Sequence, residues 1–403
     1  MQKDQLKEAC AVLTLGILGA FACSGSSPGG GEPGEDGGAI PGSTGGNGSV
    51  GSNGGVGSNG SGGSDGSAGP GSNSGGSANG SGGAGGSIDV PNPPLNTAQR
   101  ARLRVLELFA NLSGQRTLAG IENKSSATPH SHTDEVAGLA GRTPSFWGAD
   151  FGFGNGAVGN RDSMIAEAKR QWSQGAVVSL MYHTCVPTRD ELCGWDDIGG
   201  AHPVHLTNQQ WDDLFTPGTA IHTEWYRRLD ILAGYFQELR DAGVAPLFRP
   251  FHEVNQCAFW WSCVDRPNGS VRLWKDTYDY LVHEKGQDHL VWTWNIQDFT
   301  SLGSDIPKYN PGADYFDLAT LDIYNTGYTG GNYQAMLGMA AGKPIGIGEC
   351  QFLPTLDVLN SQPNWTFFML WPDFINEPRN TAIYRSLFAS ERVQTLDEMP
   401  GWE

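Results

Sequence analysis

The sequence is poor in basic residues, with 25 lysines and arginines against 43 aspartates and glutamates, so its formal net charge is −18. This excess of negative charge argues against a polyanionic partner, and we predict no nucleic-acid binding. A P-loop motif of the GxxxxGK[ST] type is also absent from the predicted strand–helix turns, which argues against a P-loop nucleotide enzyme. None of the seven cysteines lies in a CxxC pair, and no suitable histidine cluster accompanies them. We therefore predict neither a metal nor any other cofactor.

Near the N-terminus, residues 9–22 are apolar but too few and too small for a confident membrane span. The segment ends in Leu18-Gly19-Ala20-Phe21-Ala22-Cys23-Ser24, which resembles a bacterial lipoprotein signal with Cys23 as the lipidated residue. Ordinary secretion is the alternative interpretation. We predict a signal peptide over residues 1–23 and an extracellular or cell-surface protein. A lipid anchor at the bacterial outer envelope would be its only contact with a membrane.

Residues 29–87 lack lysine, arginine and every aromatic residue, and 27 of these 59 residues are glycine. A segment of this composition cannot bury enough apolar surface to offset the chain entropy lost on folding. We therefore predict a flexible Gly/Ser/Asn-rich linker over residues 24–91. The remaining residues, 92–403, are enough for one large α/β domain, which we expect to be monomeric.

The folded part alternates short apolar runs with stretches of helical periodicity. Helices are predicted over residues 97–112, 163–174, 225–240, 271–285, 332–341 and 381–390. Eight apolar runs separated in this way are typical of a (β/α)8 TIM barrel rather than of a doubly wound sheet. The predicted strands are 117–121, 145–151, 176–182, 245–251, 289–295, 318–324, 344–349 and 367–371.

Polar and aromatic residues stand at the ends of these strands, where a core would favour apolar ones. In a barrel the carboxyl ends of all strands face one mouth, so these side chains are expected to converge in one cleft. Aromatic faces stack on sugar rings, while carboxylates and amides bind hydroxyl groups, so the set suits a sugar polymer. Its members are Asp150, His183, Glu253, Asn295, Tyr324, Glu349 and Trp371.

Two of these residues are glutamates, Glu253 at the end of the fourth strand and Glu349 at the end of the seventh. Retaining glycosidases use one carboxylic acid and one nucleophilic carboxylate about 5–5.5 Å apart. We assign Glu253 as the acid/base, with His252 and neighbouring aromatics expected to raise its pKa. Glu349 is assigned as the nucleophile, held ionised by donors such as Arg249 and Tyr324.

The segments around both glutamates resemble glycoside hydrolase family 26, the β-mannanase family. They read Arg249-Pro250-Phe251-His252-Glu253-Val254-Asn255, followed by Phe259-Trp260-Trp261, and Ile345-Gly346-Ile347-Gly348-Glu349, with Leu321-Asp322-Ile323-Tyr324 and Met369-Leu370-Trp371 as further matches. The His-Glu pair is fairly specific, since related barrel glycosidases usually have Asn-Glu there. The resemblance covers the domain from about residue 100 on. It implies a (β/α)8 barrel, retention of configuration and endo-attack on β-1,4-mannan, glucomannan or galactomannan.

The same resemblance implies which residues bind the polysaccharide. His252, Tyr324 and Trp371 should line the subsite around the cleaved bond. His183 should contact the sugar from the third strand, and Trp260 should shape the wall of the cleft. Further candidates for substrate binding are Arg249, Asn255, Asp150 and Asp322.

In one position the sequence departs from the family pattern. Ala258 lies five residues after Glu253, where the family often has a tryptophan, so the polysaccharide remains open. One alternative is the same scaffold acting on another β-glycan, such as β-1,3-xylan or mixed-linkage glucan. A second alternative is a non-catalytic glycan-binding barrel, against which the presence of both glutamates argues.

Four cysteines form two close pairs in loops that follow predicted strands, Cys185 with Cys193 and Cys257 with Cys263. In an exported protein such local pairs indicate disulfides. Cys350 is left over and is expected to be a buried free thiol.

Overall fold

A computed structural model describes residues 94–152, 156–191, 205–264, 266 and 269–402 of the chain. Its centre is a sheet of parallel strands that closes on itself. The eight barrel strands are β1 Thr117–Glu122, β2 Phe146–Asp150, β3 Val177–Tyr182, β4 Leu247–Pro250, β5 Val291–Gln297, β6 Leu318–Ile323, β7 Ile345–Cys350 and β8 Trp365–Leu370.

The barrel closes because β1 pairs with both β2 and β8. Gly120 is in register with Phe146 on one side and with Met369 on the other. A short strand, β9 (Val393–Gln394), adds to β1 in parallel where β1 begins. The predicted (β/α)8 barrel is therefore confirmed.

Helices surround the strands. They are α1 Thr97–Leu112, α2 Ser131–Ala140, α3 Arg161–Ser173, α4 Asn208–Leu214, α5 Ala220–Asp241, α6 Gly269–Asp279, α7 Leu302–Tyr309, α8 Gly330–Ala340, α9 Leu356–Ser361, α10 Pro378–Thr381 and α11 Tyr384–Phe388. The predicted helix over 271–285 changes to a π-helical turn at Tyr280–Glu284, and the one over 381–390 is divided into α10 and α11. Among the described residues, no helix combines the length and apolar character that a bilayer crossing needs.

Every residue of the eight barrel strands is buried. Helices cover the outer face and side chains fill the interior, which is why the strands read as nearly continuous apolar runs in the sequence. Polar side chains accumulate where β4, β5, β6 and β7 end, and this edge of the barrel carries the candidate site.

The cysteine predictions are partly tested. Cys257 and Cys263 form the expected disulfide, and Cys350 is the expected buried free thiol. Cys193, the predicted partner of Cys185, lies outside the described residues, as do Cys23 and the predicted signal and linker. Those expectations stay predictions.

Candidate active site

Glu349 and Glu253 reach the barrel mouth in different ways. Glu349 is the penultimate residue of β7, whereas Glu253 lies three residues beyond the end of β4. The chain turns sharply there, because Phe251 and Glu253 both take left-handed backbone angles, with φ of 52° and 49°. Such angles are uncommon for residues other than glycine and must be held by neighbours. Asn295 of β5 does this at Glu253, whose backbone N–H donates to the Asn295 Oδ1 atom at 2.6 Å.

The two oxygens of the Glu349 carboxylate have different donors. Arg249 contacts Oε1 through its guanidinium, and the Tyr324 hydroxyl donates to Oε2 at 2.7 Å. Arg249 also donates to Asp322 at 2.8 Å, and the strand register pairs Asp322 with Glu349 directly. Charge-assisted hydrogen bonds of this kind fix the orientation of the carboxylate. Arg249 and Tyr324 thus make the contacts with Glu349 that the sequence analysis expected, whereas their effect on its ionisation stays a prediction.

The surroundings of Glu253 disfavour the charged form of its carboxyl group. Three buried carboxyl groups meet here, those of Glu253, Asp322 and Glu349. Each contributes one oxygen to a set in which all three oxygens lie within 4.8 Å of one another. Burial is the largest cause that raises the pKa of Glu253 well above its usual value, followed by the charges of Glu349 and Asp322. The surroundings therefore favour the protonated form of Glu253, beside a carboxylate that Arg249 and Tyr324 orient, and this arrangement suits acid-assisted displacement. By distance alone these oxygens could hold a cation, but Arg249 already supplies positive charge to two of the carboxylates.

A histidine pair forms one side of the site. The rings of His183 and His252 are 4.1 Å apart between centroids, and the Nδ1 atom of His183 is 2.5 Å from Asp150. Burial is the largest cause that lowers the pKa of His252 well below its usual value, and the neighbouring His183 and Arg249 act in the same direction. Burial opposes the ionisation of Asp150, but the charge and hydrogen bonds of His183 outweigh it, so the pKa of Asp150 is lowered. His252 is thus a neutral ring beside Glu253.

Trp371, directly after β8, is 6% exposed and lies near His183, with ring centroids 6.3 Å apart. Its indole N–H donates to Asp373 Oδ2 at 2.9 Å, and Lys124 donates to the same oxygen at 2.9 Å. These contacts fix the orientation of the ring at the mouth.

Trp260 and Asn255 are engaged by the protein itself. Trp260 is 1% exposed, packs edge-on against Trp225 and donates its indole N–H to the Thr184 carbonyl oxygen at 2.9 Å. The side-chain amide of Asn255 donates to the Gln297 carbonyl oxygen and accepts from the Gln297 N–H, at 3.0 and 2.9 Å, so it ties the loop after β4 to β5. A sugar contact by either residue stays a prediction.

Two buried acids at this edge were not among the predicted site residues. Glu122 ends β1 and is fully buried, and neither of its carboxyl oxygens has a hydrogen-bond partner among the described residues. Burial, followed by the charges of Asp150 and Glu349, raises the pKa of Glu122 well above the usual value. Asp298 follows β5 and accepts hydrogen bonds from the loop that carries Tyr324. Glu122 directly follows the predicted run over 117–121, and Asp298 lies three residues after the run over 289–295. A carboxylate so close to the end of an apolar run is the signal that could have drawn attention to each residue.

Comparison with known proteins is consistent with this geometry. A family model described as glycosyl hydrolase family 26 matches residues 94–395. A mannan endo-1,4-beta-mannosidase of Thermothelomyces thermophilus is 28% identical over 326 residues, which cover 77% of this chain and 63% of that protein. The chain thus spans less than two thirds of the length of this curated relative.

Two solved structures show similar folds. The structure of GH26A from a Muricauda species aligns with a TM-score of 0.69 at 30% identity, covering 74% of this chain and 97% of that one. A beta-mannanase from a symbiotic protist of the termite Reticulitermes speratus, complexed with gluco-manno-oligosaccharide, aligns with a TM-score of 0.65 at 25% identity. That alignment covers 77% of this chain and 97% of the other.

Proposed function

The chain belongs to glycosyl hydrolase family 26, and from this premise we propose that it is an exported, retaining endo-β-1,4-mannanase. Its substrates would be internal β-1,4-mannosidic bonds of mannan, glucomannan or galactomannan. The observation that carries the proposal is the pair of buried carboxyls at the barrel mouth, Glu253 and Glu349, with oxygens within 4.8 Å. This spacing supports retention, because inverting enzymes separate the two carboxyls by about 6.5–9.5 Å to admit a water molecule.

In the first step, Glu349 attacks the anomeric carbon while Glu253 gives its proton to the glycosidic oxygen. The bond between that carbon and that oxygen breaks, and a glycosyl ester of Glu349 forms. The raised pKa of Glu253 supports its part, since the carboxyl must carry a proton before the attack. The donors Arg249 and Tyr324 support the part of Glu349, because they bind its two carboxylate oxygens and fix their orientation.

In the second step, Glu253 acts as a base. Ester formation removes the charge of Glu349, which is one of the causes of the raised pKa of Glu253. That pKa then falls, so the carboxylate can take a proton from a water molecule that attacks the anomeric carbon and releases Glu349. The same interaction between Glu349 and Glu253 would thus favour a protonated Glu253 in the first step and an ionised Glu253 in the second.

We assign sugar binding next to the cleaved bond to His183, His252 and Trp371, which lie together beside the carboxyls. A neutral His252 can donate one hydrogen bond to a hydroxyl and accept another. The indole face of Trp371 suits stacking on a pyranose ring.

Export and anchoring are proposed from the sequence around Cys23. Fractionation of cells that produce the full chain is expected to recover it with membranes, and Cys23→Ser to release it. Recovery of both forms in the medium would favour ordinary secretion instead.

The function is tested by measuring reducing-sugar release by the full chain from glucomannan, galactomannan, xylans and mixed-linkage glucan. Release from the mannans is expected, together with its loss in Glu349→Ala and in Glu253→Ala, while Glu107→Ala on the exposed face of α1 stays active. The first-formed anomer, followed by proton NMR on a mannooligosaccharide, is expected to retain the β-configuration. Release from another glycan alone would replace the substrate, and binding without hydrolysis would indicate a glycan-binding barrel.

A further inference from the structure

Asp298 is a buried carboxylate whose hydrogen bonds are concentrated on one short loop. The loop follows β6, and four consecutive backbone N–H groups donate to the Asp298 carboxylate. They belong to Tyr324, Asn325, Thr326 and Gly327, at 2.9, 2.9, 2.7 and 2.7 Å. A run of amides that converge on one carboxylate fixes the path of the loop, because each residue is restrained separately.

The anchor itself belongs to the barrel. Asp298 directly follows β5 and is fully buried, and its own N–H donates to the Asp322 carbonyl oxygen of β6 at 3.0 Å. The Thr326 hydroxyl donates to the Asp298 carbonyl oxygen at 2.7 Å and adds a second link. The loop is therefore held by a rigid strand end rather than by another loop.

The first residue held in this way is Tyr324, whose hydroxyl donates to Glu349 Oε2 at 2.7 Å. Arg249 reaches the other oxygen of Glu349 from β4, independently of this loop. A shift of the loop would therefore remove one of the two donors of the carboxylate and leave the other in place.

We propose that Asp298 is a positioning residue for the hydrolytic reaction, which holds the Tyr324 hydroxyl against the nucleophile Glu349. The inference rests on the proposed function of Glu349. The competing explanation is that Asp298 stabilises the fold and has no part in the reaction. The two explanations predict different results for a double variant. If Asp298 acts only by positioning Tyr324, its substitution has no further effect on kcat once the Tyr324 hydroxyl is removed.

The test compares kcat and KM for a mannooligosaccharide among wild type, Asp298→Asn, Tyr324→Phe and the double variant, all as full chains. Asp298→Asn keeps the size of the side chain but replaces one acceptor oxygen by a donor that faces backbone N–H groups. Misplacement of a reacting group by about 1 Å can lower the rate about 100-fold. We expect a loss of this order in kcat for Asp298→Asn, with KM changed much less, and a double variant no slower than Tyr324→Phe.

Asp317→Asn is the matched control. Asp317 is also a carboxylate at the barrel, where it accepts from the Trp292 N–H at 2.8 Å and from Arg102 at 2.6 Å. Its substitution should lower the melting temperature while kcat stays unchanged. If Asp298→Asn does not fold, the milder Thr326→Val is expected to lower kcat in the wild type and to have no effect in Tyr324→Phe.

Multiplicative losses in the double variant, or an unchanged kcat in Asp298→Asn, would overturn the inference. A crystal structure of Asp298→Asn that keeps the hydrogen bond between Tyr324 and Glu349 would overturn it as well, whatever the substrate. A wild type inactive on every mannan is a different result: it would refute the proposed function and leave the structural comparison as the test of the inference.

Discussion

Replacement of Gly348 by alanine would place a methyl group in the middle of the hydrogen-bond network at the barrel mouth. An added Cβ atom would lie 2.8 Å from Asn295 Nδ2 and 3.0 Å from Thr320 Cβ, and closer still to the Asp322 carboxylate. The ordinary separation of such atoms is about 3.3–3.6 Å, so the neighbours or β7 would have to move by at least about 0.5 Å.

These neighbours cannot move freely. Asn295 holds the backbone of Glu253 and donates to Asp322 at 2.7 Å, and Asp322 is bound to Arg249. Catalytic groups tolerate displacements of only about 0.5 Å before the rate falls. We therefore expect kcat of Gly348→Ala to fall roughly 10- to 100-fold, and the free energy of unfolding to fall by about 1–3 kcal/mol through overpacking.

Gly346→Ala provides a matched control on the same strand, two residues earlier. There an added Cβ atom would meet the Phe367 ring, with Cζ at 2.6 Å and Cδ1 at 2.7 Å, in the apolar core. We expect a comparable loss of stability, measured by thermal unfolding, with kcat preserved at a temperature where both variants are folded. A wild-type kcat in Gly348→Ala, or an equal loss in Gly346→Ala, would refute the assignment of Gly348 to the catalytic network.

Three further predictions concern charge and cross-linking. Glu349→Gln removes a charge that raises the pKa of Glu253. Carbon-13 NMR of labelled glutamate should therefore show a lower pKa for Glu253 than in wild type, and an unchanged pKa would contradict the electrostatic interaction between the two residues. Arg249→Met leaves two buried carboxylates without their cation, which should destabilise the fold by about 3–5 kcal/mol. Burial raises the pKa of Asp322 and Arg249 opposes this rise, so this pKa is higher in the variant and the loss of stability should grow as pH rises; a difference in melting temperature from wild type that is equal at low and high pH would argue against this. Cys257→Ser with Cys263→Ser opens a short loop and should lower stability by about 2 kcal/mol in denaturant unfolding, whereas no loss would mean that the loop is held by its other contacts.

The barrel strands were predictable because parallel strands buried on both faces are nearly continuous apolar runs. The ends of the strands were harder to predict. The run over 245–251 placed Phe251 within β4, but the left-handed backbone of Phe251 ends the strand at Pro250. The predicted helices missed α2, α4, α7 and α9, which have only 6 to 10 residues. In α7 an internal proline, Pro307, also obscures the helical pattern. We find no physical reason for the break between α10 and α11.

In the site, the sequence predicted which acids meet and that Arg249 and Tyr324 contact Glu349, but it did not predict how Glu253 is held. Glu253 and Glu349 stand out because a carboxylate at the end of an apolar run is costly to bury. The neutrality of His252 follows mainly from burial and then from His183, which follows a different strand, so the local sequence alone does not predict it. The role of Asp298 depends on the path of a loop 26 to 29 residues further along the chain, which only the folded backbone defines.

The hydrogen bonds at the mouth form one connected chain rather than two separate catalytic groups. It begins at the backbone of the proposed acid, passes to the proposed nucleophile and ends at the loop anchor, through Glu253, Asn295, Asp322, Arg249, Glu349, Tyr324 and Asp298. In such a network each bond polarises the next, and substitutions are not additive. Asn295 is the link between the loop after β4 and strand β6, because one amide binds the Glu253 backbone and the Asp322 carboxylate. A glycine at 348 is required for that link, since a larger residue would separate Asn295 from Asp322, and the position of the acid then depends on a residue of the nucleophile strand.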